Sequence, residues 1–194
     1  LLSGVSAIFI DRKGDLASYA DPKAFLQVPF LNTVQVDLFT PGKSDGRPLA
    51  IGIAPEGLGK LDNLEQRSEA AQMAAVAVSA MMNYRPGNKT DERLVNILAK
   101  AIRLFSEFHG QVFLEPLISF VHSRDPLLVA EMGVLDPKNL KKLADDLESL
   151  GLDVKRRFLL EGGTESLEID RLLGNTRGPA PSHARLVVIS TKFL

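Results

Sequence analysis

The chain has 194 residues, of which 45% are hydrophobic, enough to build a core and to exclude a disordered polymer. Its 23 basic and 24 acidic residues leave a net charge of −1, so no global positive field draws it to nucleic acid or to an anionic membrane. The absence of cysteine excludes a disulfide framework and a thiolate metal site, and His109, His122 and His183 have no metal-ligand spacing. The longest apolar stretch, residues 74–82, is far short of the roughly 20 residues that span a bilayer. A soluble, cytoplasmic chain with no membrane partner is expected.

The first residues, Leu1-Leu2-Ser3-Gly4, have neither an initiator Met nor the features of a signal peptide, and the last run ends directly after a strand pattern. Both ends read as cuts within a fold. Residues 5–10 are a continuous apolar run flowing into Asp11-Arg12-Lys13-Gly14-Asp15, the pattern of a strand buried on both faces in a parallel sheet. Residues 34–40 alternate, with Val34, Val36 and Leu38 inward and Gln35 and Asp37 outward, and close at Pro41-Gly42. A third strand-like run, residues 49–53, follows the turn-rich 43–48, so the two runs are candidates for a loose hairpin.

From Asp62 the period becomes helical, with Leu64, Ala71, Ala75, Val78 and Met82 on one stripe, up to Pro86-Gly87. A second helix is predicted from an N-cap at Thr90, with Asp91 and Glu92 in its first turn. It has a stripe of Leu94, Leu98, Ala101, Phe105 and Phe108 and stops at Gly110. A third has Asp136 as cap, Pro137 at its first position, Leu140, Leu143, Leu147 and Leu150 as its stripe, and Gly151 past its end. Shorter helices are predicted over 116–122, 126–132 and 166–173, then a Gly/Pro/Asn-rich linker over 174–181 and a strand over 185–189. The fold class is therefore α/β, a partial sheet of three to four strands with a large helical insertion. The domains run 1–61 for the strands and loops, 62–174 for the insertion, and 175–194 for the linker and returning strand.

Gly42-Lys43-Ser44 invites comparison with a phosphate-binding loop, but Asp37 stands where the first glycine is needed and Asp45-Gly46-Arg47-Pro48 cannot start a helix. Gly59-Lys60 fails likewise, with Ala54 and Leu61 at the required positions. The Ala7-Ile8-Phe9-Ile10-Asp11 run has the form of a Mg²⁺-organising strand end, yet Arg12 follows it where an acid that polarises water belongs. A structural strand end is the simpler reading. Asp145, Asp146 and Glu148 fall on the polar side of the leucine-striped helix, and Lys155, Arg156 and Arg157 form a short basic cluster read as a solvated face. No serine sits on a G-x-S-x-G turn, so acyl transfer has no support.

Residues 4–16, Gly4-Val5-Ser6-Ala7-Ile8-Phe9-Ile10-Asp11-Arg12-Lys13-Gly14-Asp15-Leu16, resemble the second core strand and following loop of HerA-like P-loop ATPases, in the FtsK/HerA group of DNA-pumping motors. Residues 40–49, 168–174 and 185–194 agree with the same family in the same order. The resemblance implies that the parent is a hexameric DNA translocase or helicase-like motor using ATP and Mg²⁺. It also implies that the phosphate-binding loop lies before this stretch and the Walker B acid after it. The chain would then hold no cofactor, catalytic residue or metal site of its own. Asp11 would end a neighbouring strand, and Asp11, Lys13 and Asp15 would lie near the nucleotide edge or the DNA pore. Two alternatives stand beside it: the helical segment as an interaction module docking a nuclease or partner subunit, or a secretion or conjugation motor of the same superfamily.

Overall fold

The computed structural model describes residues 5–21, 34–43, 46–133, 137–161, 165–174 and 184–192, apart from the side chains of Tyr19, Glu165 and Ser166. The protein is mixed α/β and divides into two compact units. One comprises residues 1–51 and 162–194, and the other residues 52–161. The helical unit thus includes residues 52–61, assigned to the strand region on sequence, and the strand-bearing unit includes residues 162–174, assigned to the insertion.

In the first unit, β1 (Ala7–Asp11), β2 (Gln35–Phe39) and β5 (Arg185–Ser190) form a parallel sheet in the order β1-β5-β2. The register aligns Ile10 and Phe39 with Ile189, so the three strands end at one level. Leu186, Val187, Val188 and Ile189 are all buried, as a central strand covered on both faces requires. One face packs Ile8, Phe39, Val187 and Ile189 with Leu49 and with Leu172. Leu172 belongs to the short helix Ile169–Leu173, which Gly174 ends at φ 79°. A 3₁₀ turn, Leu16–Ala20, also packs on β2 and β5.

Three strand expectations are corrected. The loose hairpin does not form: β2 bonds β5, and the two-residue strand β3 (Leu49–Ala50) pairs in parallel with β4 (Glu165–Ser166). Those residues open the segment expected to be helical over 166–173, so its helix starts only at Ile169. The second concerns β1, which is not buried on both faces, because among the described residues it has a neighbouring strand on one side only. Phe9 is 46% and Ile10 73% exposed. The third is Asp37, which points into the protein because it shares a face with Phe39, and Phe39 is 1% exposed.

The helical unit is built around α2 (Lys89–His109). Between Leu94 and Ser106 this helix buries ten side chains, against α1 (Leu64–Met81), α3 (Leu114–His122), α4 (Pro126–Met132) and α5 (Pro137–Leu152). Small residues on α1, namely Ala71, Ala74 and Ala75, let the two long helices approach closely. The N-cap of α2 is Asn88 rather than Thr90, since the Asn88 carboxamide oxygen accepts from Thr90 N at 2.9 Å. Asn63 caps α1 in the same way, accepting from Gln66 N at 2.7 Å. Phe108, predicted on the buried stripe of α2, is 59% exposed where the helix runs out past its neighbours.

The leucine stripe of α5 is buried as expected, while the proposed cap Asp136 lies outside the described residues. Gly151 does not end α5. The helix continues to Leu152, and a Cβ on Gly151 would stand 3.5 Å from Leu114, an ordinary packing distance. A further helix, α6 (Val154–Glu161), has no counterpart in the predicted elements. Asp153 starts it by accepting from Lys155 N and Arg156 N at 3.0 and 3.1 Å.

Gly59, in the 3₁₀ turn Leu58–Lys60, lies against the backbone of α2, where a Cβ would sit 2.2 Å from the Ser106 carbonyl oxygen. Backbone cannot swing aside as a flexible side chain does. Gly59→Ala is expected to lower stability by about 1–3 kcal/mol, measured by chemical denaturation. An unchanged midpoint would show that the turn is free to move off the helix.

Candidate functional site at the carboxyl edge of the sheet

In open parallel sheets, ligands sit beyond the carboxyl ends of the strands, where loops diverge and no further strand residues fill the space. Here that edge comprises the ends of β1, β5 and β2 with the loops that leave them. Asp11 ends β1 and is 2% exposed. Its carboxylate turns back onto its own loop, accepting from Gly14 N at 2.7 Å and from Leu16 N at 3.1 Å. Its carbonyl accepts from Thr191 N at 2.8 Å, which ties the loop to the end of β5.

Asp11 therefore organises the loop: its two carboxylate oxygens are occupied by backbone donors. Lys13 and Asp15 are exposed on the same loop. Asp15 contributes its carbonyl to the Ser18 hydroxyl at 2.9 Å, which holds the start of the 3₁₀ turn. The three residues singled out on sequence thus share one loop but differ in kind, one buried and backbone-bonded, two facing solvent.

Gly42 takes φ 75° in a turn closed by Lys43 N donating to the Thr40 carbonyl at 3.2 Å. That turn leads to β3 and not to a helix, so Gly42-Lys43 has no helix N-terminus with which to cradle a phosphate. Thr40 N also donates to the Arg47 carbonyl at 2.8 Å, which brings Arg47 back beside β2.

A charge cluster missed on sequence lies within the sheet. The Asp37 carboxylate accepts from the Arg47 guanidinium, from Arg185 Nη2 at 2.7 Å and from Gln35 Nε2 at 3.0 Å. Arg47 also lies over the Phe39 ring, 4.3 Å from its centroid. Burial pushes the Asp37 carboxyl up, but the hydrogen bonds and charges of Arg47 and Arg185 outweigh it and hold the group below its ordinary 3.8. The available signal was Phe39: at i+2 from Asp37 it marks that face as one that is covered.

The helical unit has its own polar clusters, built largely from ion pairs. Arg103, 7% exposed, bonds Glu107 at 3.0 Å and Glu131 at 2.6 Å, and Arg67 meets Glu107 at 2.9 Å. Asp146, expected to be solvated, accepts from Tyr84 Oη at 2.6 Å and from Lys142 at 2.7 Å. Burial, together with the Asp146 hydrogen bond and charge, pushes the Tyr84 phenol well above its ordinary value. Glu148 stands 3.3 Å from His122 at a cavity of about 580 Å³. In the basic run of α6, Arg156 pairs with Asp153 at 3.3 Å and Arg157 with Glu115 at 3.5 Å. Among the described residues no three His, Asp or Glu side chains come together as a metal-binding group. No helix among them is long and apolar enough to cross a membrane. Comparison with protein-family models, curated proteins and solved structures finds no match for this chain.

Substitutions at two positions test these assignments. Asp11→Ala is expected to cost about 1–2 kcal/mol and to speed amide exchange at Gly14 and Leu16, with Asp11→Asn retaining part of the protection. Because the Asp37 pKa is depressed in the folded state, its stabilisation is present above about pH 3.9 and is lost as pH falls through the lower folded value. Asp37→Asn should lower stability by about 1–3 kcal/mol at pH 7, and the gap from wild type should close in acid. A gap independent of pH in thermal melts would rule out the ion pairs as its origin.

Proposed function

We propose that this chain is part of a HerA-like ATPase, a cytoplasmic DNA translocase that works as a homo-hexamer with ATP and Mg²⁺. The observation that carries the reading is residues 4–16, an apolar strand followed by Asp11-Arg12-Lys13-Gly14-Asp15, with the three later family-like stretches in matching order. The parallel sheet supports it, since its carboxyl edge is the side on which an α/β nucleotide site is built. In such a motor the cation and basic groups neutralise charge on the transferring phosphoryl group, and subunit movement follows that step. The chain contains no G-x-x-x-x-G-K-[ST] sequence, and on this reading the phosphate loop and the acid that activates water would be supplied by the parent. Asp11, Lys13 and Asp15 have supporting roles at the nucleotide edge or pore.

A second reading, favoured by the exposure of Met73 (64%) and Val76 (53%) on α1, makes the helical unit a module that docks a nuclease or another subunit. The full-length parent is expected to hydrolyse ATP faster with DNA than without, while this chain alone turns over none. Absence of DNA-stimulated hydrolysis in the parent would refute the motor reading. Loss of a partner subunit from Met73→Asp/Val76→Asp protein, with hydrolysis intact, would favour the docking module.

A further inference from the structure

The loop after β1 and the end of β5 are joined by more than hydrogen bonds. Gly14 takes φ 85°, and a Cβ there would lie 2.5 Å from Lys192 Cδ, so the methylene stem of Lys192 crosses directly over the glycine. This contact brings Lys192, 178 positions later in the chain, onto the loop that carries Arg12 and Lys13. All three cationic residues are exposed, and among the described residues none has an ion-pair or hydrogen-bond partner for its charged group.

The acids nearby offset them only in part. Asp11 is buried, with both carboxylate oxygens given to Gly14 N and Leu16 N, leaving Asp15 as the exposed acid of the loop. Arg103, Lys142, Arg156, Arg157 and Arg185, in contrast, each meet a carboxylate. An excess of three cations over two acids, one of them buried and turned inward, at the carboxyl end of a parallel sheet suits an anion with several charged oxygens.

We propose that Arg12, Lys13 and Lys192 form a phosphate-binding rim, with Lys192 held in place by its stem over Gly14. The rim's place depends on the sheet alone; the source of the phosphate, a nucleotide or a DNA backbone, rests on the motor reading. Gly14 is favoured by its positive φ, and the absence of a Cβ leaves room for the Lys192 stem in the position it takes here.

The test uses the 194-residue chain, with inorganic tripolyphosphate and a 30-mer DNA duplex as separate probes at low salt. Lys192→Gln removes the charge and keeps Cβ, Cγ and a carbon at the Cδ position beside Gly14, and the thermal midpoint serves as its control for folding. Lys192→Gln and Lys13→Gln are each expected to weaken binding about fivefold, and to lower the salt slope for DNA by about one. Lys141→Gln, on the exposed side of α5, is expected to change neither. Loss confined to tripolyphosphate assigns the rim to nucleotide, and loss confined to DNA assigns it to the backbone. The proposal is overturned if wild type binds neither probe, if both rim variants stay within twofold of wild type, or if Lys141→Gln weakens binding equally. A DNA-stimulated parent ATPase with an indifferent Lys192 sinks the rim alone. A Lys192-dependent phosphate site in a parent without hydrolysis sinks the motor reading alone.

Discussion

The parallel sheet depends on β5. β1 and β2 never touch each other; each makes its ladder to the same central strand, whose residues lie about 150 positions or more further along the chain. Parallel pairing cannot be nucleated by a short turn, so the entropy of closing that long loop is offset only when Leu186, Val187, Val188 and Ile189 bury between the two neighbours. The long-range contacts of this unit follow from the same arrangement. The Asp11 carbonyl meets Thr191, Arg185 reaches Asp37, and Lys192 crosses Gly14 because β5 brings the far end of the chain between the early strands.

The helical unit answers the same problem with local contacts. Its central helix α2 is surrounded closely enough that Arg103 is buried, and a buried guanidinium is tolerable only when paired. Glu107, one turn away, and Glu131, on α4, meet that requirement, so the ion network fixes α4 on α2 as well as neutralising charge. Gly59 acts by being small at a contact point between elements, where a methyl group would force the turn and the α2 backbone apart.

These two kinds of charge placement separate structure from candidate function. Arg103, Arg185 and Asp37 are buried or partly buried and satisfied by opposite charges, as interior ions must be. Arg12, Lys13 and Lys192 are exposed and unpaired among the described residues at the edge where a parallel sheet receives ligands. An exposed lysine costs little to leave solvated, so its position beside a loop braced from within by Asp11 is what gives the edge a chemical direction.

The helices were the most legible part of the sequence, because a 3.6-residue stripe such as Leu140, Leu143, Leu147 and Leu150 states which side is buried whatever it packs against. The strands β1, β2, β3 and β5 were legible as strands, and residues 5–10 as a member of a parallel sheet. Their neighbours were not, since an apolar run records the need for burial but not which strand supplies it. That is why β3 was expected beside β2, and why Ile10 was expected inside. Residues 11–15 stood out on sequence by their charge after an apolar run. Only the tertiary structure separated Asp11, turned inward onto two amides, from Lys13 and Asp15 in solvent, and only it brought Lys192 to Gly14, because contacts between distant residues leave no periodic trace in either segment.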